Sequence, residues 1–343
     1  MNGSRYQAAG VDIDAKYASV RAAREAIRRT FTPGVLSDIG AFGGLFDPAR
    51  VGAAGQVLVA STDGVGTKVK IASAMQRYDT VGHCIVNHSI NDILVQGARP
   101  LFFLDYIGTG KLDPTVVAQI LEGLADACEA AGIALLGGET AEMPGMYPDG
   151  DFEIVGTIVG CVAQDRILDG SRVCEGDAVI SLPSSGLHTN GYSLARKVLF
   201  DEMRLEPEAR PDGLDSTVGE ALLAIHRSYF DAVHPLLEQD HGVHACAHIT
   251  GGGLYDNLPR VLPEGLGAVI DPAAVTRPKI FDLIVEGGGV SREEAYRVFN
   301  MGFGFLLVVD AAQRDTVLAA LRAHGEDARV CGSIVRGKGV ELA

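Results

Sequence analysis

Apolar positions follow two alternating rhythms along this chain. Compact apolar runs bounded by glycine and polar turns predict strands over 57–61, 101–106, 133–136, 152–163, 178–182, 244–249, 267–270, 303–309 and 328–335. Between them, apolar residues spaced three and four apart predict helices over 68–76, 79–97, 114–131, 192–201, 217–238, 254–261, 280–286, 291–299 and 311–324. The 114–131 helix is the best signalled: Asp113 suits the N-cap, Pro114 the first turn, and Val117, Ile120, Leu121, Leu124 and Cys128 share one face. Ser291 and Glu294 have capping-box spacing before the 291–299 helix.

This alternation predicts an α/β (α+β) chain of two domains, each a mixed sheet packed with helices. At 343 residues the chain exceeds the ~250–300 at which single cores stop growing. A polar, turn-rich stretch at 169–177 marks the division, giving an amino-terminal domain over 1–168 and a carboxyl-terminal domain over 169–343. Residues 1–50 lack long periodic runs; they predict a helix near 14–31, then loops, as an arm able to cover a site.

Composition narrows the function. A net charge of −15, with basic residues clustered only over 21–29, argues against nucleic acid and anionic membranes as partners. No apolar stretch reaches the ~18 residues of a membrane span, and the amino terminus lacks a signal-peptide layout, so a cytoplasmic protein is expected. The six cysteines form no Cys-x-x-Cys pair and are expected to be reduced. His244 and His248, four apart on a predicted strand, share a face and are a zinc candidate without a third ligand.

Two glycine tracts carry the chemistry. Asp63-Gly64-Val65-Gly66-Thr67-Lys68 lies between a predicted strand and a predicted helix. Amides at a helix N-terminus favour anions, and Lys68 adds a charge suited to a phosphoryl oxygen, while Asp63 suits the accompanying cation. The tract matches neither standard nucleotide fingerprint, and a near-miss P-loop at 332–338 lacks both its hydroxyl residue and a following helix. In Gly137-Gly138-Glu139-Thr140-Ala141-Glu142-Met143-Pro144-Gly145-Met146-Tyr147, the two glutamates can hold a divalent cation or take a proton; the plain alternative is a solvated turn. In the 79–97 helix, Asn87 with Asn91 and His88 with Asp92 form a polar strip, whose plain alternative is a solvated face.

Together with Asn91 to Ala98, Phe102 to Tyr106, Ser184 to Leu194 and His248 to Gly253, these tracts closely resemble the phosphoribosylformylglycinamidine cyclo-ligase (aminoimidazole ribonucleotide synthetase) family, in family order from about Tyr6 to the carboxyl end. His88-Ser89 departs from the smaller or more apolar pair expected before Asn91-Asp92. The resemblance implies ATP-dependent closure of formylglycinamidine ribonucleotide to aminoimidazole ribonucleotide, with ATP and Mg2+ required and a homodimer formed through the amino-terminal domain. It implies Asp63, Asp92 and Glu139 on magnesium, and Asp63, Gly64, Val65, Gly66, Thr67, Lys68 and Asn91 at the nucleotide. Ser185, Gly186, His188, Thr189, Asn190 and Gly191, with Gly251, Gly252 and Gly253, are expected to cradle the ribose phosphate. Lys68 and His188 are the catalytic candidates; a structural histidine is the alternative for His188.

The rivals share the fold. A selenophosphate synthetase is expected to carry a reactive cysteine near its amino terminus, whereas the first here is Cys84. A formylglycinamidine synthase is much longer, and the resemblance to thiamine phosphate kinases stops before Pro144-Gly145-Met146-Tyr147. A catalytically silent nucleotide-binding module has no need of Asp63, Lys68, Asp92 and Glu139 together.

Overall fold

The computed structural model describes residues 36, 44–51, 55–239 and 241–343; the helix expected over 14–31 and the covering arm lie outside the described residues. The first sheet contains β1 (Gly44–Phe46), β2 (Val57–Gly64), β3 (Arg99–Thr109), β4 (Ala134–Glu142) and β5 (Phe152–Val162), in the order β1-β2-β5-β3-β4. Within it β3 and β4 run parallel, and the Pro114–Ala130 helix makes the crossover that a parallel pair requires. Asp113 caps that helix as its sequence suggests, accepting from the Thr115 amide at 2.8 Å.

The second sheet contains β6 (Ala178–Pro183), β7 (Val243–His248), β8 (Leu266–Ile270), β9 (Phe303–Val309), β10 (Arg329–Arg336) and β11 (Gly339–Leu342), in the order β11-β8-β10-β6-β9-β7. β9 is buried at every position, which is why its sequence is a continuous apolar run. β2 instead alternates: Val57 and Val59 are buried, while Leu58 and Ala60 face outward. One face of the first sheet is therefore covered by the Asp79–Leu94 helix, and the other is open among the described residues.

The core is continuous between the halves. Leu94 and Val95, at the end of that helix, pack with Ile180, Tyr229 and Phe305 of the carboxyl half. The turn residue Val65 joins the same apolar cluster as Leu187 and Leu254.

Four expectations change. The helix over 217–238 is two helices, Val218–Leu223 and Phe230–Glu238, with an irregular segment between them. The strand expected over 133–136 continues to Glu142, so the Gly137 tract begins as an exposed edge strand rather than a turn. The 192–201 helix changes to a π-helix at Lys197–Glu202. The near-miss P-loop falls in β10 and the turn into β11, a strand that the pattern does not predict.

Candidate active site at the junction of the halves

β2 ends at Gly64, Gly66 takes a left-handed φ of 57°, and a helix starts at Lys68, so the tract is a strand, turn and helix as its sequence predicts. Lys68 itself is placed differently from expectation. It is fully buried, and its Nζ donates to Cys84 Sγ (3.1 Å), the His188 carbonyl (2.9 Å) and the Ala224 carbonyl (2.6 Å). An ammonium has three donors, and all three are engaged. Burial also pulls its pKa below the ordinary lysine value. Lys68 thus clamps the two halves together, and in this arrangement its charge does not face the glycine turn.

The polar strip on the Asp79–Leu94 helix is not a solvated face either. Asn91 and His88 are buried, and the strip meets the segment that interrupts the expected 217–238 helix. The Asn87 amide donates to the His226 carbonyl at 2.7 Å, and Asn91 Nδ2 donates to the Arg227 carbonyl at 2.8 Å. Asn91 Oδ1 accepts from the Tyr229 amide at 3.0 Å. Ser185 Oγ donates to the Ile225 carbonyl at 2.5 Å, so the carbonyls of Ala224, Ile225, His226 and Arg227 all accept from side chains distant in sequence. These bonds replace the helical ladder and explain why the segment is irregular. Asn91, expected at the nucleotide, spends both ends of its amide on this backbone.

Asp63 and Asp92 converge on His88. His88 Nε2 lies 2.9 Å from Asp63 Oδ2 and 3.3 Å from Asp92 Oδ2, while Asp92 Oδ1 contacts His248 Nδ1 at 2.8 Å. Burial opposes a charge on His88, but the Asp92 and Asp63 carboxylates outweigh it and hold its pKa well above the ordinary range. The converse holds for Asp92, where His88 and His248 overcome burial and lower its pKa. Burial, the largest cause, pushes the pKa values of His226, His188 and His248 below the ordinary histidine value.

The two glycine loops of the carboxyl half meet at this place. In 184–191, Asn300 accepts from Ser184 Oγ at 2.8 Å and donates to the Gly186 carbonyl at 2.9 Å, fixing the backbone from below. In 250–253, Asn257 Nδ2 donates to the Gly253 carbonyl at 2.8 Å. A Cβ on Gly251 would stand 3.2 Å from Asn190 Oδ1, so the loops abut. Thr67 Oγ1 approaches Ser193 Oγ at 3.3 Å, and His88 Nδ1 approaches Thr189 Oγ1 at 2.7 Å, bringing the Asp63 turn to the same point. His188 is 1% exposed at a left-handed φ of 60°, with Nε2 accepting from the Ser185 amide at 3.2 Å. That geometry gives it an anchoring place under the loop.

Two expected groupings are not formed within one chain. Asp63 pairs with Gly156, Gly156 with Asp105, and Asp105 with Gly138, beside Glu139. Three strand spacings put Glu139 about 14 Å from Asp63, too far for one ion. His244 and His248 part because β7 is irregular between Val243 and Ala245: His244 contacts Asp177 at 2.8 Å, whereas His248 contacts Asp92. His226 is the site residue that the pattern hides, since it sits inside an apparent amphipathic helix. All six cysteines are free; Cys174 is exposed and the others are buried.

Known proteins share the sequence and the fold of this chain. The family described as AIR synthase related protein, N-terminal domain, matches residues 34–162, and its C-terminal domain counterpart matches residues 175–343. A phosphoribosylformylglycinamidine cyclo-ligase of Trichlorobacter lovleyi is 48% identical over 329 residues, covering 96% of this chain and 94% of that protein. One of Sorangium cellulosum is 49% identical over 331 residues, covering 96% and 95%. Among solved structures, a thiamine-monophosphate kinase of Stenotrophomonas maltophilia shares the fold at a TM-score of 0.65 and 18% identity, covering 95% of this chain and 94% of its own. The hydrogenase maturation protein HypE of Escherichia coli does so at 0.60 and 20%, covering 96% and 94%. At nearly half identity over almost its whole length, the chain belongs to the phosphoribosylformylglycinamidine cyclo-ligase family.

Proposed function

We infer that the protein is an ATP-dependent cyclo-ligase of purine biosynthesis, closing formylglycinamidine ribonucleotide to aminoimidazole ribonucleotide with release of ADP and phosphate. Family membership gives the reaction, and the convergence of the 63–67 turn with the 184–191 and 250–253 loops is the observation that supports placing it here.

An amide oxygen leaves poorly. Transfer of the terminal phosphoryl group of ATP to the formamide oxygen turns it into phosphate; the amidine nitrogen then forms a bond to the same carbon, and the C–O bond breaks as phosphate departs. Such transfer needs positioning and charge neutralisation more than covalent help from the protein. Asp63 and Asp92 are assigned to Mg2+, because each offers hard carboxylate oxygens and both reach the His88 side chain beside the glycine turn. Bound there, Mg2+ would neutralise phosphate charge. The turn amides of Gly64, Val65, Gly66 and Thr67 are assigned to the nucleotide phosphates. Ser185, Gly186, Thr189, Asn190 and Gly191, with Gly251, Gly252 and Gly253, are assigned to the ribose phosphate, with His188 and Lys68 holding this floor in place.

The open face of the first sheet supports a homodimer. Leu58 is 36% exposed there and Leu136 on the edge strand 61%, with Leu104, Val155 and Val159 half-buried beside them. No described helix is long and apolar enough to cross a membrane, and we place the enzyme in the cytoplasm.

The deciding experiment measures ADP formation with Mg2+ and ATP, with and without formylglycinamidine ribonucleotide, followed by diazo coupling of aminoimidazole. Substrate-dependent ADP with coloured product is expected. ADP without aminoimidazole overturns the substrate assignment, and no ADP overturns the enzyme.

A further inference from the structure

Away from the active site, Cys174, Asp177 and His244 bring a thiol, a carboxylate and an imidazole nitrogen within 4.8 Å of one another. Asp177 is buried just before β6, whereas Cys174 is exposed, unlike the other five cysteines. Free cysteines are ordinarily among the most buried residues, so an exposed thiol turned onto a buried carboxylate asks for a cause. Cys174 Sγ donates to Asp177 Oδ1 at 3.3 Å, and His244 Nδ1 contacts Oδ2 of the same carboxylate at 2.8 Å. The backbone is shaped to hold this trio. Val243 pairs with Val309 and Ala245 with Val308, which leaves His244 as the extra, bulged residue of β7. A bulge re-aims its side chain, and Arg172 Nη2 fixes this one by donating to the Val243 carbonyl at 2.6 Å. On the other side, the Cys174 amide donates to Asp177 Oδ2 at 3.0 Å and the Asp177 amide to the Cys174 carbonyl at 3.2 Å, closing a tight turn. The order of contacts does not suit a cysteine nucleophile. Such a pair needs the imidazole on the thiol, whereas here both groups engage the carboxylate.

We propose that Cys174 Sγ, the Asp177 carboxylate and His244 Nδ1 form a peripheral Zn2+ site that clips β7, an edge strand of the second sheet, to the turn before β6. Thiolate and imidazole together select zinc over Mg2+ and Ca2+, which are bound chiefly by oxygen. One thiolate and one carboxylate cancel the charge of the dication. Zn–N and Zn–O bonds of ~2.0–2.2 Å and a Zn–S bond of ~2.3 Å set ligand atoms about 3.3–3.7 Å apart in a tetrahedron, which lies within the span of this trio. On binding, the thiol proton passes to solvent and the imidazole proton moves to Nε2. The ion then replaces both hydrogen bonds to Asp177, and water fills the fourth position. The Cys174 amide on Oδ2 is the outer contact that orients the carboxylate. The site takes no part in the cyclo-ligase chemistry.

Co2+ is the probe, titrated without nucleotide into reduced full-length protein freed of metal by a chelator. Thiolate-to-cobalt charge-transfer absorption in the near ultraviolet is expected, saturating at one ion per chain; Zn2+ should abolish it and a large excess of Mg2+ should not. Co2+ held only by carboxylates such as Asp63 and Asp92 gives no such band. Cys174→Ser, at an exposed position, should remove the band, and His244→Gln should weaken Co2+ at this site by about 10-fold or more, since even outer-contact losses cost ~10–100-fold. A wild-type protein without the band overturns the proposal, as does a band that survives in Cys174→Ser. Unchanged Co2+ affinity in His244→Gln also overturns it, by showing a thiol that binds cobalt without the imidazole. Should His244→Gln not fold, the wild-type and Cys174→Ser spectra still decide.

Discussion

Lys68 Nζ donates to the Ala224 carbonyl at 2.6 Å, joining residues 156 positions apart and tying the Lys68–Met75 helix to the interrupted helix of the carboxyl half. The same ammonium holds the His188 carbonyl, so one buried charge anchors both the glycine loop and the irregular segment. Lys68→Met should therefore act first on stability. It leaves the Ala224 carbonyl without its donor and the His188 carbonyl with the Tyr192 hydroxyl alone, and at ~1–3 kcal/mol for each buried group left unpaired a loss of about 2–4 kcal/mol is expected from urea unfolding. Unchanged stability with a raised KM for ATP would instead return Lys68 to the phosphates.

Asn91 is the second clamp on that segment. Asn91→Ala deprives the Tyr229 amide and the Arg227 carbonyl of their partners, for an expected cost of about 2–4 kcal/mol. Hydrogen exchange localises the effect: the Tyr229 amide should exchange much faster in the variant, while amides of β9 keep their protection. Equal loosening of both regions would show that Asn91 supports the whole core rather than this segment.

The segment also explains what the sequence conceals. Leu222, Leu223, Val233 and Leu236 are buried on either side of the break, so apolar spacing alone reads straight through it. What breaks the helix is long-range: donors from Lys68, Asn87, Asn91 and Ser185, invisible to a local pattern. Asp63 and Asp92 stand out in the sequence because each sits in a tract whose polar residues interrupt apolar periodicity, and in the fold both approach His88. Glu139 misled because its glycine-rich neighbourhood resembles a turn, whereas sheet pairing with β3 carries it along the edge strand, away from Asp63. The sheets themselves followed from runs such as 303–309, where burial on both faces leaves an uninterrupted apolar signature.

Neighbouring glycines in the 250–253 loop separate folding from binding. Gly253 has φ of 59°, and a Cβ there would stand 1.9 Å from the Tyr296 carbonyl oxygen. Gly253→Ala is expected to cost at least ~2 kcal/mol, through backbone strain and steric clash. Gly251 has ordinary φ, and its nearest neighbour is the Asn190 side chain at 3.2 Å. Gly251→Ala should keep thermal stability close to wild type yet raise the KM for the ribonucleotide by crowding the two loops. The substrate assignment of this loop fails if Gly251→Ala folds normally and leaves both KM values unchanged.

Glu326 gives a pH-dependent prediction away from the site. Its Oε1 accepts from Arg227 Nη2 at 2.8 Å, while Oε2 is buried with no hydrogen-bond partner among the described residues. Burial raises its pKa above the ordinary value of 4.5 even though Arg227 opposes the shift. A raised carboxylate pKa means that the folded protein binds the proton more tightly than the unfolded chain. This contribution is fully present below pH 4.5 and is lost as pH rises through the higher folded value. Glu326→Gln keeps an oxygen for Arg227 and fixes the side chain in its neutral form. The stability difference, variant minus wild type, should therefore become more favourable as pH rises from about 4 to 7, measured as urea midpoints at each pH. A difference that stays flat, or moves the other way, would show that the Arg227 ion pair outweighs the burial of the charge.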